Sequence, residues 1–270
     1  VAGTVPEELR CTVERADASL TYSLFLQRFA FSRPVILSGI TDNSRGDRAR
    51  PRGCRFPRSP SVPRSPSVPR SPSVPCSPLR SPAHPSVPAV DVPFQEYVEH
   101  LLKPQDPARL GSDTLYFFGD NNFTEWGPLF QHYVPPPFRI PGTSPAYSFG
   151  IAGSGSGVPF HWHGPGFSEV IFGRKRWFLY PPDKTPHFHP NETTLAWLQH
   201  TYPSLPPAQR PLECTLRPGE VSPGLEGTLG TPGRATGPQC CVLQVLYFPD
   251  RWWHATLNLD TSVFISTFLG

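Results

Sequence analysis

The sequence YSFGIAGSGSGVPFHWHGPG, residues 147–166, joins a Gly/Ser-rich loop to two histidines that are two residues apart. On a β-strand, side chains two residues apart project to the same face, so His161 and His163 are predicted to point together. A Gly-Pro-Gly sequence follows and ends the strand, which places the pair at the mouth of a barrel. Two partly buried structural histidines would give the same pattern, so the pair alone is weak evidence for a metal site.

A third histidine lies much later in the chain, in VLYFPDRWWHATLNL, residues 245–259. This sequence predicts a strand, a tight turn at Pro249-Asp250 and a second strand that carries His254. A facial metal triad needs two adjacent ligands and one distant histidine on a facing strand, with positions left open for oxygen and a chelating co-substrate. The three histidines are therefore the predicted metal ligands.

The remaining sequence is typical of a mainly β protein with a few helices. After residue 146, short aromatic strands are separated by Gly and Pro, which indicates a sandwich or a barrel. Near the N-terminus, apolar residues at helical spacing predict a helix over 19–31, with Ser19 or Thr21 as its cap. The sequence RPVILSGI, which follows, predicts a buried strand.

Two further elements are predicted before the barrel. The sequence VPFQEYVEHLLK, residues 92–103, predicts an amphipathic helix. Its apolar face is expected to carry Phe94, Val98 and Leu101 or Leu102. The sequence TLYFFGD, residues 114–120, predicts a strand that ends in a turn.

Three motifs resemble those of the JmjC family, the iron- and 2-oxoglutarate-dependent oxygenases with a double-stranded β-helix. PFHWH, GRKRWFLYPP and PDRWWHATLNL are similar to the family's H-x-D/E, G-x-K-R and W-W-H elements. The resemblance covers residues 11–45, 90–221 and 246–270 and is strongest to a luminal member of the endoplasmic reticulum. It implies a cupin-like jelly roll with flanking helices.

The resemblance also implies roles for individual residues. His161 matches the first metal ligand, His163 stands at the usual carboxylate position, and His254 matches the distal ligand. Lys175 matches the lysine that pairs with the far carboxylate of 2-oxoglutarate; its alternative interpretation is an exposed basic residue in a turn. Val158 stands where relatives often have a Thr or Ser that contacts the co-substrate. Fe(II) and 2-oxoglutarate are the implied cofactors, and the two departures favour weak or absent activity.

Two unusual stretches interrupt the predicted domain. Residues 46–89 are rich in Pro, Ser and Arg and contain three RSPSVP repeats, so we expect a disordered tract without sheet or helix, either an inert linker or a Pro-rich ligand. Residues 222–245 are expected to form an extra loop within the barrel. The expected organisation is a helix and strand over 1–45, the tract, and an interrupted barrel over 90–270.

The charge distribution argues against a nucleic-acid partner. Nine arginines and one acid lie between Arg45 and Arg80, whereas the whole chain has a net charge of only +3. No apolar run approaches 18 residues, so no membrane span is expected. Because the sequence begins at Val1 and contains no Met, any leader peptide is expected to lie outside it.

Cysteines and glycosylation sequons bear on the compartment. The six cysteines include no CxxC pair and therefore lack the spacing of a zinc finger. Cys11 and Cys214 lie outside the low-complexity stretches and are the predicted disulfide; buried free thiols are the alternative. Asn122 and Asn191 begin N-x-[ST] sequons. Together with the resemblance, these features predict a glycoprotein of the endoplasmic reticulum lumen.

Two functions follow from these expectations. The first is a divergent, weakly active or inactive JmjC protein that binds protein partners and regulates signalling. The second is an Fe(II)/2-oxoglutarate-dependent hydroxylase that acts on a protein substrate. A third use of the histidines, structural zinc in a cupin barrel, stays open as well.

Overall fold

The chain folds into two β-sheets that face each other, with helices on their outer surfaces. The computed structural model describes residues 10–41, 43, 73–76, 90–106, 116–118, 123–218 and 243–270. The helices of these residues are α1 (Tyr22–Arg28), α2 (Phe94–Glu96), α3 (Phe123–Phe130) and α4 (Thr194–His200). The strands are β1 (Glu14–Ala16), β2 (Val35–Ser38), β3 (Ser73–Cys76), β4 (Val90–Pro93), β5 (Phe117–Phe118), β6 (Pro145–Ala152), β7 (Gly166–Phe172), β8 (Lys175–Tyr180), β9 (Leu212–Leu216), β10 (Gln244–Phe248), β11 (Trp253–Asn258) and β12 (Ser262–Leu269).

The sheets have the topology of a jelly roll. The larger sheet has the strand order β1-β2-β10-β7-β12-β6-β5, and the smaller has the order β11-β8-β9. All neighbouring strands in these two sheets are antiparallel except β1 and β2. The prediction of a mainly β protein with the fold of a double-stranded β-helix is therefore confirmed. Within the described ranges, no helix is both long and apolar enough to cross a membrane.

The main core fills the space between the two sheets. Alternate residues of each strand point inward, so Val170 and Phe264 of the larger sheet pack with Trp177 and Leu179 of the smaller one. Each such side chain that is fully buried contributes about 1.5–3 kcal/mol to stability. This packing holds the strands that carry the predicted site residues.

The outer face of each sheet is also covered. Helix α1 packs on the larger sheet, where Phe25 stacks against Phe138 and meets the edge of Tyr247. Helix α4 packs on the smaller sheet, where Trp197 meets the ring of Phe178. Strand β8 is consequently buried along its whole length.

A buried ion pair lies on the outer side of strand β8. The Arg176 Nη2 atom is 2.5 Å from Glu213 Oε2, and each of these side chains is only 4% exposed. The hydroxyl of Tyr202 donates a hydrogen bond to Glu213 Oε1 at 2.7 Å. Removal of one partner would leave a buried charge uncompensated, which costs about 3–5 kcal/mol.

A disulfide joins the edges of the two sheets. Cys11, just before edge strand β1, is bonded to Cys214 in edge strand β9, with a Cα–Cα distance of 4.2 Å. The backbone N–H of Thr12 also donates to Glu213 O at 2.8 Å beside this bond. The predicted pairing of the two cysteines is therefore present in the structure.

The N-terminal elements agree with their predictions. The Thr21 side chain accepts a hydrogen bond from the Leu24 N–H and caps α1. Strand β2 falls inside RPVILSGI and is buried between β1 and β10. Local spacing and capping chemistry were sufficient to place both elements.

The predicted amphipathic helix over 92–103 is wrong in its details. Its first two residues belong to β4, and α2 passes directly into a π-helical turn, Tyr97–Leu101, closed by a hydrogen bond from Leu102 N to Tyr97 O. The wider turn buries Tyr97 and leaves Val98 38% exposed, so Val98 is not on the buried face.

The two predicted interruptions lie mostly outside the described residues. Within 46–89, strand β3 pairs with β4 in a two-stranded antiparallel ladder, so the expectation that this tract forms no sheet fails there. Pro75 is tolerated because β3 has a partner on one side only. The predicted loop 222–245 also extends too far, since Gln244 and Val245 belong to β10 and pair with β2.

Candidate metal-binding cleft

An irregular segment that runs beside strand β11 brings two of the histidines to the third. The N–H groups of Asn258 and Thr256 donate to Ser156 O at 2.8 Å and to Val158 O at 2.9 Å. His161 and His254 then exchange two backbone hydrogen bonds, at 3.1 and 2.8 Å. The segment is not the regular strand that was predicted, yet its pairing fixes His161 directly opposite His254.

The three predicted histidines form one cluster. One ligand nitrogen from each of His161, His163 and His254 can be chosen so that all lie within 4.8 Å of one another. The Nε2 atoms of His163 and His254 are 3.1 Å apart. Two nitrogens bound to one ion at about 2.1 Å, with an angle between 90° and the tetrahedral value, are roughly 3.0–3.4 Å apart. The spacing therefore fits two ligands of one metal ion.

Backbone carbonyls fix the tautomer of each ring. The Nδ1 atoms of His161, His163 and His254 lie 2.8, 2.8 and 2.9 Å from the carbonyl oxygens of Pro159, Gly164 and Trp252. A carbonyl only accepts, so Nδ1 carries the proton and the neutral ring has its lone pair on Nε2. Two such lone pairs at 3.1 Å repel each other, and a bound cation would relieve that repulsion.

Burial keeps the rings neutral. Desolvation lowers the pKa of His254 well below its ordinary value, and the neighbouring His161 and His163 lower it further. Desolvation also lowers the pKa of His163, although the Gly164 carbonyl and Asp250 act in the opposite direction. Neutral imidazole is the form that binds a metal ion, so two of the three ligands are in the binding form at neutral pH.

Lys175 lies in the same cavity and is only 1% exposed. Its Nζ donates to the Tyr116 hydroxyl and to Asn258 Oδ1, the latter at 3.4 Å, and lies 3.7 Å from the centroid of the Phe264 ring. Burial lowers the pKa of Lys175 well below its ordinary value. The alternative of an exposed basic residue in a turn is therefore wrong.

The cavity has a polar strip and aromatic walls. The space between its walls, including the part that is open to solvent, is about 330 Å³. The three histidines, Lys175, Thr256 and Ser266 supply the polar groups. Six aromatic residues complete the walls: Tyr116, Phe118, Trp177, Phe248, Phe264 and Phe268. Val158 lines it too, so the residue in place of the expected hydroxyl does face the cleft.

Comparisons with known proteins agree with this geometry. No protein-family model matches the chain. JmjC domain-containing protein 8 of Homo sapiens is 62% identical over 268 residues, which span 99% of this chain and 87% of that protein. The chain belongs to the JmjC domain-containing protein 8 family.

More distant similarities are found outside that family. A lysine-specific demethylase of Arabidopsis thaliana is 29% identical over 203 residues, which cover 66% of this chain and 18% of that protein. The structure of YcfD, a ribosomal oxygenase from Escherichia coli in complex with cobalt and succinic acid, is 15% identical with a TM-score of 0.43. The match covers 97% of this chain and about half, 53%, of that protein.

In this member of the JmjC domain-containing protein 8 family, four polar residues in or beside the cleft were not predicted from the sequence: Tyr116, Thr256, Asn258 and Ser266. Tyr116 meets the Lys175 ammonium, and Thr256 and Asn258 follow His254 at intervals of two on the same strand face. The Asn258 amide also donates to Ser156 O and Ser156 Oγ, both at 3.1 Å. The period of two from His254 was a usable signal for Thr256 and Asn258, whereas nothing local singled out Tyr116.

Other predicted site residues lie away from the cleft. Asn191 is exposed just before α4, and Thr193 of the same sequon caps that helix through a hydrogen bond from Ala196 N. Asn122 lies outside the described residues.

A glycine holds the histidine-bearing segment close to β11, and its replacement is expected to destabilise the protein. A Cβ atom on Gly157 would lie 1.8 Å from Thr256 O, so Gly157→Ala must push the two segments apart. We expect a loss of roughly 1–3 kcal/mol in the free energy of unfolding, measured by urea denaturation. Gly127→Ala is the control, because a Cβ there meets nothing within 4 Å. Equal stability of the Gly157 variant and wild type would contradict this prediction.

Proposed function

We propose that the cleft binds a divalent metal ion together with a small dicarboxylate of the 2-oxoglutarate class, and that the protein hydroxylates a side chain of a protein substrate. The observation that carries this proposal is the position of Lys175, a fully buried amino group in the cavity that the three histidines line. Among the described residues, no carboxylate forms an ion pair with it, and its hydrogen bonds go to a phenol and an amide. A buried ammonium without an anion is costly, so an anionic ligand would stabilise it.

The donor set suits several divalent ions. His161, His163 and His254 would hold the metal through imidazole nitrogens, which suit Fe(II), Zn(II) and Cu(II). When bound, Fe(II) would supply the redox chemistry that activates dioxygen. The hydrogen bonds from Nδ1 to backbone carbonyls would orient the rings toward the ion.

The other end of the cavity suits a carboxylate. Lys175 would donate to it, and the Tyr116 hydroxyl beside the ammonium could donate as well. Burial raises the pKa of Tyr116 far above its ordinary value, so the phenol keeps its proton and can act as a donor. Asn258 holds the ammonium in place through its own bonds to Ser156. A ligand that reaches the histidines and Lys175 must therefore carry an anionic group away from its metal-binding end.

Lys175→Met tests the carboxylate site. We expect 2-oxoglutarate to bind this variant roughly 10- to 100-fold more weakly in the presence of Co(II), measured by calorimetry, because one charge-assisted hydrogen bond is worth about 1.5–3 kcal/mol. Without ligand, the variant is expected to be at least as stable as wild type, since a buried charge has been removed. Lys103→Met, at an exposed position, is the control. Unchanged affinity in the Lys175 variant would sink the proposal.

The histidine that stands where the family has a carboxylate ligand favours a second function. His163 is neutral, so the metal site carries one negative charge fewer than a two-histidine, one-carboxylate site. Together with Val158, this supports a weakly active or inactive protein that binds partners and regulates signalling. Purified protein with Fe(II), 2-oxoglutarate and oxygen separates the two functions. Succinate formation that is lost in His254→Ala supports the enzyme, and metal-loaded protein without succinate formation supports the regulatory role.

We also propose that the protein is a glycoprotein of the endoplasmic reticulum lumen. The Cys11–Cys214 disulfide supports an oxidising compartment, and the exposed Asn191 side chain is accessible to glycosylation. An electrophoretic shift after treatment with endoglycosidase H, absent in Asn191→Gln, is the expected result at that sequon. Protein that shows no shift would argue against glycosylation.

A further inference from the structure

A buried carboxyl group lies on the outer face of the larger sheet, away from the metal-binding cleft. Glu169 is in the middle of β7 and has no exposed surface. Its neighbour Val170 points into the core between the sheets, so Glu169 points to the opposite side. Val245 of β10 and Ile265 of β12 lie beside it in the sheet. None of the proposed metal or carboxylate chemistry uses this group.

The carboxyl joins three separate parts of the chain. Thr41 Oγ1 donates to Glu169 Oε1 at 2.7 Å, and Asn43 Nδ2 donates to Oε2 at 2.9 Å. The same Asn43 amide donates to Val134 O at 2.8 Å and accepts from Val134 N at 2.7 Å. Glu169 therefore fastens the segment after β2 and the loop after α3 to the sheet.

The charges around this carboxyl are few. Among the described residues, the titratable side chain that faces it is Tyr133, from the loop after α3, and Tyr147 of β6 packs against Tyr133. The neighbouring positions on β10 and β12 are the apolar Val245 and Ile265. In the described part of the chain, no lysine or arginine forms an ion pair with Glu169. Among the described residues, an ionised Glu169 would thus be a buried charge whose hydrogen-bond donors are neutral.

Burial has a direct consequence for the titration of this group. Desolvation raises the pKa of Glu169 to about 7, although the donors Thr41 and Asn43 and the nearby Tyr133 hydroxyl act in the opposite direction. If the covering segment opens, water reaches the carboxyl and its pKa returns toward the ordinary value of 4.5. The closed state then binds the proton more tightly than the open state does. The closed state is therefore most stable below pH 4.5, and its stability falls as the pH rises to about 7.

We infer that Glu169, Thr41, Asn43 and Val134 form a pH-sensitive fastener that holds the segment after β2 on the back of the larger sheet and loosens as the carboxyl ionises. The fastener lies behind the cleft, because Ile265 and Thr267 of β12 face its side of the sheet, whereas Phe264 and Ser266 line the cleft. Ionisation leaves the hydrogen bonds in place but adds an uncompensated buried charge. Opening the segment would hydrate it.

Hydrogen exchange across pH tests this inference. In wild type, the opening equilibrium of the amides near Thr41, Asn43 and Val134 is expected to rise about tenfold per pH unit between pH 5 and pH 7 and then level off, after correction for intrinsic exchange. In Glu169→Gln the opening equilibrium is expected not to change with pH, because the glutamine side chain is isosteric with glutamate and does not titrate. The control is Glu96→Gln, at an exposed position, which should keep the wild-type slope.

Two results would overturn this inference. The first is a wild-type slope that matches that of Glu169→Gln. The second applies even if that variant fails to fold: a carbon-13 titration of the wild-type carboxyl groups that places Glu169 near 4.5 instead of about 7. A wild-type carboxyl that titrates near 7, together with a flat exchange profile in the variant, supports it.

Discussion

His161→Ala is expected to weaken the binding of Co(II) by at least about 100-fold, measured by isothermal titration calorimetry. Loss of an outer partner of a metal ligand already costs 10- to 100-fold in affinity, and this substitution removes a ligand itself. The remaining pair, His163 and His254, supplies two nitrogens 3.1 Å apart, which is fewer than a stable site needs. The His161 backbone hydrogen bonds to His254 persist in the variant, so the segment is expected to stay in place.

A second histidine pair with the same spacing provides the control. His187 and His189 are also separated by one residue, but both are exposed and lie outside the metal cluster. His189→Ala is therefore expected to bind Co(II) as wild type does. Tight binding by His161→Ala, or its loss in His189→Ala, would contradict the assignment of the cleft.

Cys11→Ser is expected to lower the free energy of unfolding by about 5 kcal/mol, because the bond closes a loop with a sequence separation of 203. The structural reason is that the bond joins one edge strand of each sheet. Without it, the smaller sheet, which carries Lys175 and His254, is held mainly by the core between the sheets. Urea denaturation measures the change, and a fall of about 10 °C or more in Tm should accompany it.

Reduction of the disulfide separates this effect from the substitution itself. Wild type treated with a dithiol should approach the stability of Cys11→Ser, whereas the double variant Cys11→Ser, Cys214→Ser should not respond to the reductant. If oxidised and reduced wild type unfold at the same urea concentration, the bond contributes nothing to stability and the prediction is wrong.

The sequence was most informative where a local pattern reports a local geometry. The alternation of β-strands and the turn at Pro249 predicted that His254 would meet His161 and His163. The cap at Thr21 predicted the start of α1. The cap depends on residues that are close together in the chain, whereas the histidine cluster joins residues 91 apart and was predicted from the strand pattern together with the family motifs.

Features that depend on distant contacts could not be predicted in the same way. Tyr116, just before β5, reaches Lys175 across a separation of 59 residues, and Asn43 reaches Val134 across a separation of 91 residues. In the π-helical turn the backbone hydrogen bonds do not follow the regular α-helical period, and Val98 is exposed as a result. Composition misled the interpretation of residues 46–89, where four residues pair as β3. Tertiary contacts determine each of these outcomes, and local propensity does not reveal them.

The ion pair between Arg176 and Glu213 also favours the observed register of β8 over one shifted by a residue. This strand begins with two basic residues and is buried on both faces, so hydrophobicity alone does not distinguish its correct alignment from one shifted by a residue. A shift would exchange the faces of Lys175 and Arg176, moving the guanidinium into the cleft and the ammonium toward Glu213. The planar guanidinium of Arg176 binds the Glu213 carboxylate and also lies over the Tyr202 ring. An ammonium at the same place would not reproduce both contacts. One buried pair thus selects which of two adjacent cations faces the cleft.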